Sequence, residues 1–166
     1  MVSLRKTARE DIDLKESYFD GFEYKGFKVK TKLVIEGHKE YRPIKLSHSK
    51  DVYETFKKLV ESDKEKFYSV FLDCKNKVIG VDMVSQGSLD SSPVHPREVY
   101  KSALLASAAN VIFVHSHPSG DPEPSLADKE ITRLLKEAGD MLQISVLDHI
   151  IIGLGNYYSF ADKGEL

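Results

Sequence analysis

The sequence predicts an α/β (α+β) domain in which a mixed β-sheet is flanked by helices. Short apolar runs rich in β-branched residues, typical of buried strands, recur along the chain. Segments with apolar residues at helical spacing lie between those runs. Such an interspersed order is typical of helices packed on a sheet, and 166 residues are enough for one domain with a sizeable core.

The chain divides into three predicted segments. Residues 1–20 are polar and charge-rich, and we expect a flexible N-terminal arm there. Residues 21–50 are predicted to form an N-terminal β extension, because apolar and lysine residues alternate from Phe27 into a strand that continues to Ile35. A second short strand is predicted around Tyr41–Leu46. Residues 51–166 are predicted to form the main domain.

The main domain contains three predicted helices and five predicted strands. Ser49 or Asp51 can cap a first helix that runs to about Glu61, Pro96 suits the first position of a second helix, and Ser125 opens a third that ends near Met141. The predicted strands, in chain order, are Phe67–Leu72, Val78–Val84, Val111–Val114, Ile144–Gly153 and Tyr157–Phe160.

Charge is unevenly distributed along the chain. Residues 1–50 carry 12 Lys/Arg and 8 Asp/Glu, a net charge of +4, whereas residues 51–166 carry 12 and 18, a net charge of −6. Proteins that bind nucleic acid through its phosphates usually have a basic face. Charge therefore does not support DNA binding by the main domain.

The localisation is predicted from three features that the sequence lacks: a membrane span, a signal peptide and a second cysteine. No apolar run approaches the length of a membrane span, and the N-terminus lacks the apolar core of a signal peptide. Cys74 is the only cysteine, which rules out an internal disulfide and a thiolate metal cluster. We therefore expect a cytoplasmic protein with no membrane association.

The most informative motif is His115-Ser116-His117-Pro118, which directly follows an apolar strand. Residues two apart on a strand face the same side, so His115 and His117 would present two ring nitrogens together at the strand's end. Asp128, from the following helix, would complete a three-ligand set suited to zinc. The alternative for Asp128 is helix capping, because Ser125 to Asp128 also has the spacing of a capping box. We expect its carboxylate to do only one of these, and the paired histidines favour ligation.

The string His-x-His-Pro-x6-Ser-x2-Asp resembles the JAMM motif of the JAB/MPN metalloprotease superfamily. Four segments further resemble the bacterial RadC family: His95–Val99, His115–Pro122, Pro124–Ser125 and Leu147–Gly153. The similarity runs from about Asp51 to the C-terminus. The middle residue of the first tripeptide is usually Asn in that family and is Ser116 here, as in other JAMM proteins. The resemblance implies an MPN/JAB-type fold with cytidine-deaminase-like layering.

The resemblance also implies roles for individual residues. In the superfamily a glutamate upstream of the motif acts as general base on a zinc-activated water. Glu65, where the first helix gives way to a strand, is the better candidate, and Glu98, just inside the second helix, is the alternative. Ser125 resembles the motif serine that donates a hydrogen bond to the developing oxyanion, although plain N-capping would also explain it. Asp148-His149 could orient a metal ligand or form a buried structural pair.

Two functions remain open on the sequence. The first is a zinc-dependent hydrolase of amide bonds, acting as a metallopeptidase or isopeptidase on an unknown peptide or protein substrate. The second is a non-catalytic or DNA-repair-associated accessory protein, since the RadC family carries a DNA-repair label. RadC proteins commonly have an N-terminal helix-hairpin-helix segment, whereas residues 1–50 resemble strands, and this departure weakens a DNA role.

Overall fold

The computed structural model describes residues 17–19, 22–24, 44–87 and 94–166. The chain forms two compact units, residues 1–31 and 32–166. In the first unit, strand β1 (Ser17–Phe19) pairs antiparallel with strand β2 (Phe22–Tyr24). The boundary predicted for the arm, at residue 20, falls within this pair.

Most of the predicted β extension lies outside the described residues. This holds for the strand predicted from Phe27 and for most of the strand predicted around Tyr41–Leu46. At the end of the latter, Lys45 forms an isolated antiparallel bridge with Lys77.

The second unit contains the elements predicted for the main domain. Its strands are β3 (Lys66–Leu72), β4 (Val78–Gln86), β5 (Asn110–Ser116), β6 (Ser145–Ile152) and β7 (Tyr157–Ser159). Its helices are α1 (Ser49–Phe56, continued by a 3-10 turn at Lys57–Glu61), α2 (Pro96–Leu105), α3 (Leu126–Leu142) and α4 (Phe160–Lys163). The helix α4 was not predicted, because a four-residue helix is too short to show a periodic pattern.

The five strands form one mixed sheet in the order β4-β3-β5-β6-β7. Strands β5 and β6 are parallel, whereas the other neighbouring pairs are antiparallel. The predicted mixed sheet with flanking helices is therefore confirmed. Helix α3 lies between β5 and β6 in the chain, as a parallel connection requires.

Each face of the sheet contributes to a separate apolar cluster. Val111 and Phe113 of β5 pack with residues of α2 and α3 on one face, whereas Ile112 and Val114 pack with residues of α1 on the other. This alternation follows from the two-residue repeat of a strand. His115 continues the series of Val111 and Phe113, so its ring lies on the α3 face of the sheet.

Candidate metal centre

Strand pairing brings the predicted histidines and Glu65 to one end of the sheet. In the antiparallel pair of β3 and β5, Phe67 lies opposite His115 and Lys66 lies opposite Ser116. Glu65 therefore follows at the position beside His117. One ligand atom from each of Glu65, His115 and His117 lies within 4.8 Å of the other two. These three side chains could share a metal ion.

The His115 ring faces the Asp128 carboxylate in the interior. Its Nδ1 lies 3.0 Å from Asp128 Oδ1, and both side chains are only 1% exposed. Despite this distance, neither atom has a hydrogen-bond partner of acceptable geometry among the described residues. Buried polar atoms are normally paired. Two electron-pair donors that approach each other without aligning as a hydrogen bond are a suitable arrangement for ligands of a shared cation.

The His117 ring is held by the loop that follows it. Its Nδ1 lies 2.7 Å from the carbonyl oxygen of Asp121, which can only accept, so Nδ1 carries the proton and donates it. The other nitrogen, Nε2, is then left with its lone pair and lies 3.5 Å from Asp128 Oδ2. When His117 is protonated, Nε2 can donate to the Asp128 carboxylate, and this interaction raises the pKa of His117 against the opposing effect of burial. Fixing one ring nitrogen in this way is the usual means of orienting a histidine ligand.

Asp128 caps helix α3 and at the same time directs a carboxylate oxygen at His115. It stands at the third position of α3 and closes the capping box, since Oδ2 accepts from the backbone N–H of Ser125 at 2.8 Å. Its other oxygen, Oδ1, is the one that faces His115. The two oxygens of its carboxylate point to different partners, so capping through Oδ2 leaves Oδ1 available, and ligation by Asp128 stays a prediction. Burial acts to raise the pKa of Asp128, but the contacts with His115, His117 and Ser125 outweigh it and hold the pKa well below its usual range.

The Ser125 hydroxyl is directed at Asp128. It donates to Asp128 Oδ2 at 2.6 Å, and its oxygen accepts from the backbone N–H of Asp128 at 3.2 Å. Ser125 is thus the N-cap of α3. To donate to a substrate oxygen, as its resemblance to the motif serine implies, the hydroxyl would have to exchange Asp128 for that oxygen.

The two candidate general bases lie in different surroundings. The Glu65 carboxylate lies within reach of the histidine rings and adds to the field that raises the pKa of His117. The Glu98 side chain is 52% exposed on α2 and pairs with Lys101 at 2.6 Å. The hydrogen bond from Lys101 lowers the pKa of Glu98 and so makes it a poorer base. Of the two carboxylates, Glu65 is the one that lies beside the histidine rings, and its role as base stays a prediction.

Asp148 and His149 are adjacent on β6, and both are buried. Asp148 accepts from the Ser159 hydroxyl at 2.6 Å and from the backbone N–H of Ala161 at 3.0 Å. These two hydrogen bonds connect the start of α4 to the sheet. Burial raises its pKa against these hydrogen bonds. His149 lies on the α3 side of the sheet, and burial lowers its pKa to about 3, which keeps the ring neutral. Only His149 of the two approaches the predicted ligands.

Two residues around the site were not predicted. Thr132 hydrogen-bonds both the backbone of Asp128 and the ring of His149. Its position one helical turn after Asp128 was the available signal, since residues four apart share a helix face. Asp121 acts through its backbone carbonyl, and a backbone group leaves no signal in the residue type.

The donor set fits zinc. Two imidazoles and one carboxylate are ligands that zinc accepts in catalytic sites, where a fourth position is kept for water or substrate. His115, His117 and Asp128 would be those ligands, with Glu65 beside them.

Among the described residues, no helix is long and apolar enough to cross a membrane.

The fold and these side chains define a class of protein, namely an α/β domain with a candidate metal site at one end of a mixed sheet. Residues 46–165 match the family model described as a RadC-like JAB domain. The chain therefore belongs to the RadC-like JAB domain family, and the predicted family is confirmed.

Curated relatives agree with this assignment. A UPF0758 protein of Methanosarcina mazei is 54% identical over 121 residues, covering 72% of this chain and 53% of the relative. A UPF0758 protein of Trichlorobacter lovleyi is 56% identical over 108 residues, covering 65% and 47%, and one of Chlorobaculum parvum is 44% identical over 123 residues, covering 74% and 55%. The chain thus spans about half the length of these relatives. Their names state no activity, and the family is compatible with a metal-dependent hydrolase.

Proposed function

We propose that this domain is a zinc-dependent hydrolase of amide bonds, either peptide or isopeptide. The observation that carries the proposal is the pair formed by His115 Nδ1 and Asp128 Oδ1, which lie 3.0 Å apart, buried and without hydrogen-bond partners among the described residues. His117 and Glu65 lie beside this pair. A buried arrangement of this kind has no evident structural use, because unpaired polar atoms destabilise a fold.

The residues divide the chemistry of amide hydrolysis between them. Zinc, when bound, supplies a Lewis acid for the scissile carbonyl and lowers the pKa of water towards neutrality. Glu65 would take the proton of the attacking water and return it to the leaving amine, which otherwise departs poorly. Ser125 would stabilise the developing oxyanion once its hydroxyl turns from Asp128.

Burial indicates how a substrate would enter. His115 and Asp128 are enclosed, whereas the His117 side chain is 13% exposed and Glu65 is half-buried. The opening therefore lies on the side of His117 and Glu65, next to the proposed base. A substrate amide that enters from this side would reach the proposed base, Glu65, first. The rest of the substrate polypeptide could then remain outside the domain while water attacks the amide.

The test begins with the metal content of the purified protein. We expect about one zinc per chain in the wild type, and loss of that zinc in His117→Ala. The zinc-loaded protein is then incubated with a mixed peptide library and with peptides that carry a lysine isopeptide bond. Cleavage that stops on chelation and returns with zinc supports the proposal. A wild type that neither holds nor binds zinc overturns it and favours the accessory role.

A further inference from the structure

A chain of two buried hydrogen bonds extends from the backbone of Asp128 into the sheet. The Thr132 hydroxyl lies 2.5 Å from the carbonyl oxygen of Asp128, and the same hydroxyl oxygen lies 2.6 Å from Nδ1 of His149. Thr132 is 2% exposed and His149 is 0% exposed. Both contacts are therefore shielded from competition by water.

The protons of this chain can be assigned without ambiguity. A hydroxyl has one proton, and a carbonyl oxygen can only accept, so Thr132 donates its proton to Asp128. The Thr132 oxygen must then accept from His149, and Nδ1 of His149 must carry the proton. Nε2 of His149 is left unprotonated, and among the described residues it has no hydrogen-bond partner.

The His149 ring is fixed on both sides. It stacks on Phe160 with the ring centroids 5.0 Å apart and an angle of 5° between the planes, and it meets Phe113 edge-on at 6.2 Å. These contacts fix the plane of the ring, which two orientations related by a 180° rotation about the Cβ–Cγ bond share. The contact with Thr132 selects the orientation that presents Nδ1, because the rotated ring would present a carbon atom there.

This chain connects the two elements that carry the proposed ligands. His149 lies on β6 opposite Phe113 of β5, two residues before His115 on that strand. Thr132 and Asp128 lie one turn apart on α3. The distance between His115 and Asp128 depends on how the first turn of α3 lies over the sheet. The Thr132 hydroxyl, one turn later, contacts both the Asp128 carbonyl oxygen in that turn and the His149 ring in the sheet, so it links the two.

We propose that Thr132 and His149 are positioning residues that hold Asp128 in register with His115 for metal binding. The inference rests on the proposed function and adds residues to its site. Ser125 holds the Asp128 carboxylate at Oδ2, while Thr132 holds the backbone of the same residue from the opposite side. Hydrogen bonds behind a ligand typically contribute tenfold to a hundredfold to metal affinity, so that ~10–100-fold is the effect expected here.

A purely structural role for Thr132 predicts a different result. Valine has nearly the shape of threonine and would fill the same buried space without its hydroxyl. If Thr132 only fills space, Thr132→Val keeps its zinc affinity, and Thr132→Ser, which keeps the hydroxyl but loses a methyl group, binds zinc the more weakly of the two. If Thr132 positions Asp128, Thr132→Val binds zinc more weakly than Thr132→Ser.

The first experiment measures the His149 tautomer in the metal-free protein by ¹⁵N NMR, which requires no variant to fold. We expect a protonated Nδ1 and an unprotonated Nε2. The opposite tautomer in the wild type overturns the inference, because Thr132 could not then receive the proton described above.

The second experiment measures the zinc dissociation constant by competition with a chromogenic chelator. Thr132→Val should bind zinc about 10–100-fold more weakly than wild type, and Thr132→Ser should recover most of that loss. Ser159→Ala is the matched control, because it removes a buried hydroxyl that hydrogen-bonds Asp148 and touches no proposed ligand. Its zinc affinity should equal that of the wild type.

The outcomes separate the two proposals. If the wild type binds zinc and Thr132→Val binds it equally well, the positioning role is wrong and the proposed function stands. If the wild type binds no zinc at all, the proposed function fails, and the Thr132–His149 pair is left as an element of the fold only, which overturns the inference as well.

Discussion

Asp128 Oδ1 lies 3.0 Å from His115 Nδ1, although the first belongs to a helix and the second to the central strand of the sheet. The two atoms meet only when α3 is docked on β5. The proposed metal binding at this position would therefore be coupled to folding, because an unfolded chain does not assemble the ligands. Added zinc should raise the melting temperature, and the increase should depend on zinc concentration.

The size of that zinc effect should increase with pH. In the metal-free protein the hydrogen bond that protonated His117 donates to the Asp128 carboxylate raises the pKa of His117 above its usual value near 6.5. Protonated His117 thus stabilises the metal-free fold below that value, and this stabilisation is lost as the pH rises through the raised pKa. The stabilisation from ionised Asp128 depends on pH in the opposite direction. It is present above pH 3.8, the usual pKa of an aspartate, and is lost as the pH falls through the lowered pKa.

Zinc must displace the His117 proton in order to bind. We therefore expect its apparent affinity to fall about tenfold per pH unit below the His117 pKa. Thermal melts at about pH 6 and pH 8, with and without zinc, measure the difference. The zinc-induced shift should be larger at the higher pH in wild type and absent in His117→Ala. Equal shifts at both pH values in wild type would contradict proton displacement.

Glu65→Gln should separate metal binding from catalysis. The amide keeps the size of the side chain but cannot take a proton, so amide hydrolysis should fall by roughly 10²–10⁴-fold while about one zinc per chain is retained. Glu98→Gln is the matched control, since Glu98 is exposed and paired with Lys101. It should keep wild-type turnover. Full activity in Glu65→Gln would remove Glu65 from the mechanism.

Ser125→Ala should reduce both stability and turnover. The loss of an N-cap typically costs about 1 kcal/mol of unfolding free energy. If the hydroxyl also serves the oxyanion, kcat at saturating zinc should fall by a further factor of about 10²–10³.

Ser159→Ala provides the comparison for Ser125→Ala. Ser159 caps α4, accepts from the backbone N–H of Asp162 and donates to a buried aspartate, Asp148. It should lose a similar amount of stability and no catalytic rate. If both variants keep wild-type kcat, Ser125 acts as a helix cap alone.

Gly139→Ala should destabilise the domain through overpacking. A Cβ atom at residue 139 would lie 2.5 Å from the Tyr100 hydroxyl oxygen and 2.6 Å from the carbonyl oxygen of Ile144. We expect a loss of about 1–3 kcal/mol in urea unfolding. Tyr100→Phe relieves one contact and leaves the other, but it also removes the buried hydrogen bond from Tyr100 to the Leu135 carbonyl oxygen. Gly139→Ala should therefore cost less when it is measured against Tyr100→Phe than against wild type. A neutral Gly139→Ala would show that α3 can shift away from the sheet.

The sequence was sufficient to predict the main elements because each carries its own periodic pattern. The strand that ends at His115 is apolar and β-branched, and the start of α3 is marked by Ser125 and Asp128, which form the observed capping box. The mixed sheet follows from the order of these elements. None of these predictions needed information from a distant part of the chain.

The position of Glu65 could not be predicted in the same way. It depends on the antiparallel register of β3 against β5, which places residue 66 opposite residue 116. A shift of one residue would turn the side chain to the other face of the sheet. The sequence also could not show that the two oxygens of Asp128 serve different partners, because that division depends on the direction in which α3 leaves the site.

The turn between β6 and β7 packs so closely on the loop after His117 that substitutions in this turn should inactivate the protein. The backbone N–H of Leu154 donates to the Gly120 carbonyl at 2.7 Å, and Cβ at residue 153 would lie 2.6 Å from that same oxygen. Any side chain at Gly153 would push away the loop that presents the Asp121 carbonyl to His117. A screen for inactive alleles should therefore recover substitutions at Gly153, a residue with no functional group, alongside those at the ligands.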